Sequence, residues 1–379
     1  MNRVISPKRQ DNKTIIIMIL LVLILFSTFN SVSNILKPVG FISLSLLLTI
    51  TLYLLLFHFS ISKKLLKTHL VILVSSTIML FIMLIGLYNN PSLSGIKAIY
   101  QFVSVIGLLV FFSLIKWNAH KNKLMYKFSI ILIIFLPIFG DIGFIGAYMV
   151  LPIFFVLLQR KKTVVNAVLI IICLYLIYLA GMRAVFLLLF VSAITYFIWN
   201  FISKTKLRFI TYFLSLTTGL LSFVFIYPNL INWSKYPEAD AFIYAYTGKH
   251  IMSGRNRIWG PLIDKINEKP FLGHGTGIIP YDVLGIQISS HNLYLQTALQ
   301  NGLIGLIILF ILFLIIWLIY FRTKNIYSTK LSASFFTGIL VYQSFEVVLT
   351  QNKMDTAVIF WIIIAIGISN SIYKDRSDY

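Results

Sequence analysis

Apolar runs long enough to cross a lipid bilayer recur along almost the whole chain, and short basic clusters separate them. A soluble domain has too little interior to bury that much apolar surface, so lipid must solvate most of it. Hydrophobic residues make up 59% of the sequence and charged residues 11%, which leaves no room for the two or three soluble domains that the length alone suggests. The expected fold is a single all-α polytopic membrane domain over residues 1–379, with about twelve transmembrane helices.

The expected spans are Thr14–Asn30, Pro38–Ile61, Thr68–Tyr88, Leu93–Ile115, Met125–Phe139, Ile142–Leu158, Thr163–Ala180, Arg183–Phe201, Leu207–Tyr227, Leu303–Phe321, Leu331–Leu349 and Met354–Tyr373. Between them, basic residues alternate from loop to loop. Arg3, Lys8, Arg9 and Lys13 open the chain. Lys63, Lys64 and Lys67, then Lys116, Lys121, Lys123 and Lys127, then Arg160, Lys161 and Lys162 follow at every second loop. Lys204, Lys206 and Arg208, then Arg322, Lys324 and Lys330, and finally Lys374 and Arg376 complete the series. The short intervening loops hold only Lys37, Lys97, Arg183 and Lys353. This asymmetry predicts both termini in the cytoplasm and an even number of spans. The basic N-terminal tail is followed by an apolar run without a small-residue cleavage site, and is expected to be a retained first helix. Pro137, Gly140, Asp141 and Gly143 interrupt the stretch from Met125 to Leu158, where a re-entrant pair would keep the same orientation.

The formal net charge of +21 belongs to these clusters and forms no nucleic-acid motif, so nucleic acid is not an expected partner. Cys173 sits alone in an apolar run, which excludes a disulfide framework and points to packing. The spacing of the six histidines and eleven acidic residues suggests no metal site, and no cofactor is expected.

Residues 228–302 form the one long connection, placed on the outer side by the charge pattern, and a loop of such length is usually functional. Trp233, Tyr236, Tyr244 and Tyr246 suit either an interfacial aromatic belt or a sugar-stacking platform. Ile258, Leu262, Ile263 and Ile266 recur at helical spacing between Arg255 and Lys269, with Ser253 or Asn256 as cap and Pro270 as terminator. Gly273, Gly275 and Gly277 around His274 permit close approach of backbone to a ligand. Ser289 to Tyr294 reads as a capped helix start with His291 in its first turn, where the helix dipole favours a neutral imidazole able to accept a proton.

Arg183, at the outer end of its span, suits either snorkelling to headgroups or a bidentate grip on phosphate. Glu346 falls mid-span one turn from Gln343, either as a functional intramembrane carboxylate or as a helix-to-helix hydrogen-bonding group. Asp141 reads as an outer loop residue, and His58, His69 and His120 as interfacial residues on the cytoplasmic side.

Several of these segments together resemble the O-antigen ligase and polymerase superfamily, the Wzy and WaaL type. They are Ser253-Gly254-Arg255-Asn256-Arg257-Ile258-Trp259, Pro270-Phe271-Leu272-Gly273-His274-Gly275, His291-Asn292-Leu293-Tyr294-Leu295 and Asn301-Gly302-Leu303-Ile304-Gly305. Gly181-Met182-Arg183-Ala184 is similar to the family's "S-R-G-A" helix start, with methionine for the usual serine and alanine for the usual glycine. The resemblance implies a GT-C-like helical bundle in the bacterial cytoplasmic membrane whose extracytoplasmic loop, residues 228–302, carries the catalysis. It also implies undecaprenyl-diphosphate-linked glycans as donor and acceptor, membrane lipid as surroundings and a chain-length regulator as a candidate partner.

Carried onto matching positions, it makes His291 the base and Arg183 with Arg255 or Arg257 the diphosphate ligands. Trp259, Gly273, His274, Gly275, Asn292 and Tyr294 are its loop motif. An acceptor hydroxyl would attack the anomeric carbon as lipid diphosphate departs, with inversion, because a direct displacement needs no protein nucleophile. The leading expectation is a polysaccharide polymerase. A ligase acting on lipid A core or another acceptor is the alternative, and a flippase for lipid-linked sugar a second one.

Overall fold

The computed structural model describes residues 42–43, 45–50, 59–139, 142–160, 163–285 and 289–373. The N-terminal tail and the expected span Thr14–Asn30, most of Pro38–Ile61, and Lys37, His58, Gly140, Asp141, Lys161, Lys162, Lys374 and Arg376 lie outside those residues. Beyond a helical stretch at 45–50, the helices are α1 (Phe59–Asn89), α2 (Leu93–Ser113), α3 (Ala119–Phe139), α4 (Ile142–Tyr148), α5 (Val150–Leu158), α6 (Val164–Leu179) and α7 (Arg183–Ile202). They continue as α8 (Lys206–Asn229), α9 (Tyr236–Thr247), α10 (Asn256–Glu268), α11 (Pro280–Leu284), α12 (Leu293–Phe321), α13 (Tyr327–Tyr342) and α14 (Met354–Tyr373). There is no strand among the described residues.

Six helices among the described residues are long and apolar enough to cross a membrane, in α1, α2, α7, α8, α12 and α14. The chain is thus a multi-pass helical membrane protein. The helices α13 and α14 form its centre: α13 packs against α7 and α14, and α14 against α2. Both are buried along most of their length. By contrast, α6, α7 and α8 turn large apolar side chains such as Ile171, Phe190, Phe197 and Phe225 outward, where lipid solvates them. Polar side chains inside are paired across helices. Thr195 bonds Thr337 (2.8 Å) and Tyr212 (2.6 Å), which joins α7, α13 and α8. Cys173 is buried and unpaired, in keeping with packing.

Three expectations change. The span Leu331–Leu349 stops as a helix at Tyr342, and Gln343 to Lys353 is a non-helical segment. Gln343 Oε1 accepts the N–H groups of Val348 (3.0 Å) and Leu349 (3.1 Å) and so folds that segment into a tight turn. Glu346 therefore sits beyond the helix end rather than within a span. His69 is buried and bonded to Ser113 at the end of α2, so it is an interior residue rather than an interfacial one. Asp355 at the start of α14, for which the sequence suggested no role, is a buried carboxylate, bonded by the Tyr148 hydroxyl.

The close contact of α7 and α13 depends on Gly338. A Cβ there would lie 2.2 Å from Ser192 Oγ and 2.3 Å from the Leu188 carbonyl. Gly338→Val is expected to cost about 3 kcal/mol or more by overpacking. Gly219→Ala, on an open face of α8 with nothing near its added carbon, is expected to be neutral or slightly stabilising. Thermal unfolding of both variants in detergent checks this, and equal melting temperatures would show that the α7–α13 contact is not tight.

Candidate active site

The starts of α7 and α12 and the end of α13 meet at one face of the bundle, and the segment between α8 and α12 covers it. Within that segment α9 is bounded by Pro237 near its start and by left-handed Gly248 at its end, and buries none of its residues. Asp240 ties it down. Its carboxylate accepts the Ile251 N–H (2.7 Å) and contacts His250 Nδ1 (2.7 Å), and these two partners hold it below the usual carboxylate range.

The strap from Lys249 to Arg255 then crosses the mouth of a cavity. Arg183, the first residue of α7, donates to the carbonyls of Lys249 (3.3 Å) and His250 (2.8 Å) and to Ser253 Oγ (2.8 Å). Lys249 Nζ returns a bond to the Gly181 carbonyl (3.0 Å), so strap and helix start clasp each other. The arginine is not merely snorkelling to headgroups.

The helix expected from the spacing of isoleucines and leucine is α10, which buries Ile258, Trp259, Leu262 and Ile266, with Ile263 half-buried. Its N-cap is neither Ser253 nor Asn256 but Arg255, whose backbone is already helical and whose side chain is left for other contacts. Trp259 Nε1 donates to the Ser290 carbonyl (2.8 Å), which anchors α10 to the approach to His291.

The glycine turn packs closely against the protein's own backbone. Within α12, Gly302 breaks the helix with φ 65° and ψ −172°. The turn fits that break: His274 N–H donates to the Leu299 carbonyl (2.8 Å), Gly275 N–H to Gln300 (3.1 Å), and Leu303 N–H to Pro270 (2.7 Å). A Cβ at Gly302 would lie 2.1 Å from the Phe271 carbonyl oxygen, and one at Gly273 would lie 2.6 Å from the Gln300 carbonyl carbon. The close approach anticipated from sequence is thus backbone against backbone. His274 points its Nε2 to the Lys265 carbonyl (2.7 Å), and none of Gly273, His274 and Gly275 lines the cavity.

Asn292 is the N-cap of α12, accepting the N–H groups of Tyr294 (2.9 Å) and Leu295 (3.0 Å) on Oδ1. Its Nδ2 donates to the Ser344 carbonyl (3.1 Å), Leu293 N–H to the Gln343 carbonyl (2.8 Å), and the Tyr294 hydroxyl to the Leu340 carbonyl (2.7 Å). The start of α12 is thereby stapled to the end of α13. His291 precedes the cap, in a left-handed conformation (φ 47°), and does not occupy the first turn. Its nearest charge is Glu346, whose Oε2 lies 3.5 Å from Nδ1. Lys353 Nζ lies 3.3 Å from the same oxygen. Burial pushes the Glu346 carboxyl up, but the His291 contact and the Lys353 charge outweigh it and hold it below the usual carboxylate range.

The cavity has a volume of about 900 Å³, and its walls include Arg183, Lys249, Arg255, His291, Glu346 and Lys353. Four permanent cations against one carboxylate leave the cavity with a positive field. Arg255 Nη2 donates weakly to the Phe345 carbonyl (3.5 Å), and its guanidinium lies 5.5 Å from the centre of the Phe345 ring. Arg255 Nε is buried with no acceptor among the described residues, a donor that an anion could satisfy. Arg257 is exposed and does not line the cavity. Trp233, Tyr244 and Tyr246 are also exposed and away from the cavity wall, a placement that fits a belt better than a platform inside the site. His291 thus turns Nδ1 toward Glu346 on the cavity wall.

Sequence reasoning missed Glu346 and Lys353 as neighbours of His291. The available signal was polarity: Gln343, Ser344, Glu346, Thr350 and Gln351 together are too polar for a lipid-facing span end.

Residues 167–310 match the family model of O-antigen ligases (Wzy_C), which covers Arg183, Arg255 and His291 and stops short of Glu346 and Lys353. No curated protein matches the chain. The match supports an O-antigen ligase or polymerase type of function and does not separate the two.

Loss of the staple should be measurable. Asn292→Ala removes the cap of α12 and the bond to Ser344, and is expected to cost about 1–2 kcal/mol. Thermal unfolding in detergent reads the loss, and an unchanged midpoint would mean that the cap does not hold α12 in place.

Proposed function

We propose, taking the likeness of residues 167–310 to O-antigen ligases as premise, that this chain is a membrane glycosyltransferase that polymerises undecaprenyl-diphosphate-linked oligosaccharide repeat units. The observation that carries the reading is convergence: Arg183, Arg255 and His291, far apart in sequence, line one cation-rich cavity. The alternation of basic loops supports a cavity on the outer face, both termini in the cytoplasm and an even number of spans, and the family likeness implies about twelve spans in a GT-C-like bundle in the bacterial cytoplasmic membrane.

In this mechanism the acceptor hydroxyl is held beside His291, whose Nε2 takes its proton as the oxygen attacks the anomeric carbon. Glu346, whose Oε2 lies 3.5 Å from Nδ1, is close enough to receive Nδ1–H on a small shift of the ring, and in that contact would fix its tautomer. The bond to the lipid diphosphate breaks on the opposite side of the anomeric carbon, which inverts the configuration. Arg183 and Arg255 offset the charge that grows on the departing diphosphate. Trp259, Asn292, Tyr294 and the glycine turn act by holding the helices that present these groups.

A second reading, transfer of the finished glycan to lipid A core or another acceptor, is favoured by the description of the matching family as ligases. Transport gains no support from that match. Arg183, Lys249, Arg255, Glu346 and Lys353 also gather around one cavity instead of along a path between helices.

The test is a purified, reconstituted protein given a defined lipid-diphosphate repeat unit, with product length read on a gel. A ladder is expected from the unaltered chain. His291→Ala should slow it about 10²–10⁴-fold, Arg183→Ala and Arg255→Ala about 10²–10³-fold, and Glu346→Gln at least about tenfold, mainly in kcat. Single transfer to an added second acceptor without a ladder would identify a ligase. Full activity of folded His291→Ala and Arg183→Ala variants would overturn the site.

A further inference from the structure

At the face of the bundle opposite the cavity, where α5 and α7 end and α13 begins, Arg160, Lys324 and Lys330 line a recess of about 570 Å³. None of the three forms an ion pair with a carboxylate among the described residues. Arg160 lies over the Tyr327 ring (4.1 Å) and Lys330 over the Tyr196 ring (3.8 Å), while Lys324 Nζ donates to the Ser203 carbonyl (2.6 Å). Like charges gathered in one recess repel each other unless an anion sits among them. Tyr196 and Tyr327 also border a second recess, of about 340 Å³, that leads up between α5, α6, α7 and α13. Its walls are almost wholly apolar, with Leu157, Leu174, Leu189 and Phe335 among them. From Ser203 to Leu189 the rise along α7 is about 20 Å, the depth to which an acyl chain reaches below its phosphate. The two recesses therefore adjoin at Tyr196 and Tyr327 and together mark out a path from a basic rim into the hydrocarbon region.

We propose that this path is a binding site for an anionic phospholipid, with the phosphate among Arg160, Lys324 and Lys330 and an acyl chain in the apolar recess. The basic rim selects the charge, because a zwitterionic headgroup brings its own cation into a recess that already holds three. The apolar recess selects a lipid over a free phosphate, which would leave that recess unused. By the alternation of basic loops this is the cytoplasmic leaflet, where anionic lipids meet Lys and Arg. The site is separate from the glycosyl-transfer cavity and does not depend on that reading.

Native mass spectrometry of the full chain, released from detergent after incubation with equal amounts of phosphatidylglycerol and phosphatidylcholine of matched acyl chains, tests the inference. Preferential retention of phosphatidylglycerol is expected. Arg160→Gln with Lys330→Gln should reduce the preference by about fivefold for each cation removed. Ala193→Trp, which fills the apolar recess without changing charge, should weaken retention of phosphatidylglycerol, and glycerol phosphate without acyl chains should fail to displace it. Equal retention of both lipids, an undiminished preference in the folded double charge variant, or displacement by glycerol phosphate would overturn the proposal. Should Ala193→Trp fail to fold, the charge variant alone decides.

Discussion

The stapling of the start of α12 to the end of α13 is the interaction on which the rest of the cavity depends. Helix ends carry backbone groups without intrahelical partners, and in a membrane protein water is scarce where those ends are buried. Asn292 and Gln343 resolve the problem jointly. Asn292 caps its own helix and donates to Ser344, while Gln343 supplies its carbonyl to Leu293 and its side chain to Val348 and Leu349. Because each helix end satisfies the other, His291 and Glu346 are held side by side by a network separate from their own contact.

A second mutual satisfaction sets where α12 begins to cross the bilayer. The break at Gly302 frees backbone groups in the middle of a long helix, and the glycine turn returns their hydrogen bonds. The spacing of Gly273, His274 and Gly275, motif residues outside the cavity, matches the fit of a turn into a helix break. Trp259 serves the same end from α10, through its bond to Ser290.

Much of this was legible in the sequence, since the apolar runs locate α1, α2, α7, α8, α12 and α14, and the isoleucine spacing locates α10. The motif positions Arg183, Arg255 and His291 could be named from sequence, and the fold brings them together. Glu346 was misplaced for a physical reason. Val347, Val348 and Leu349 keep the hydropathy of a span going past the helix end, yet these side chains are buried against protein and not lipid. Hydropathy measures avoidance of water and cannot tell those two environments apart. His69 was misread in the converse way, because a histidine beside basic residues looks interfacial until Ser113, distant in sequence, supplies its partner. The place of His291 one residue ahead of the cap also changes the electrostatic argument, from the dipole of α12 to the facing carboxylate.

Under the proposed reaction that carboxylate raises a question of charge balance, since stabilising a departing diphosphate gains nothing from a negative group on the cavity wall. Lys353 supplies the answer. Its ammonium lies as close to Glu346 Oε2 as His291 Nδ1 does, so the carboxylate can orient the imidazole while its charge toward the cavity is offset. The field left in the cavity is that of Arg183, Lys249 and Arg255. Arg183 spends part of its donor set on the strap, but Nε–H and one Nη1–H have no protein acceptor among the described residues. Arg255 likewise keeps a buried Nε–H with no acceptor among the described residues. Under the proposed reaction, the strap is held by the same arginine that meets the leaving group. Ordering of the covering segment and stabilisation of the growing charge are then two uses of one guanidinium.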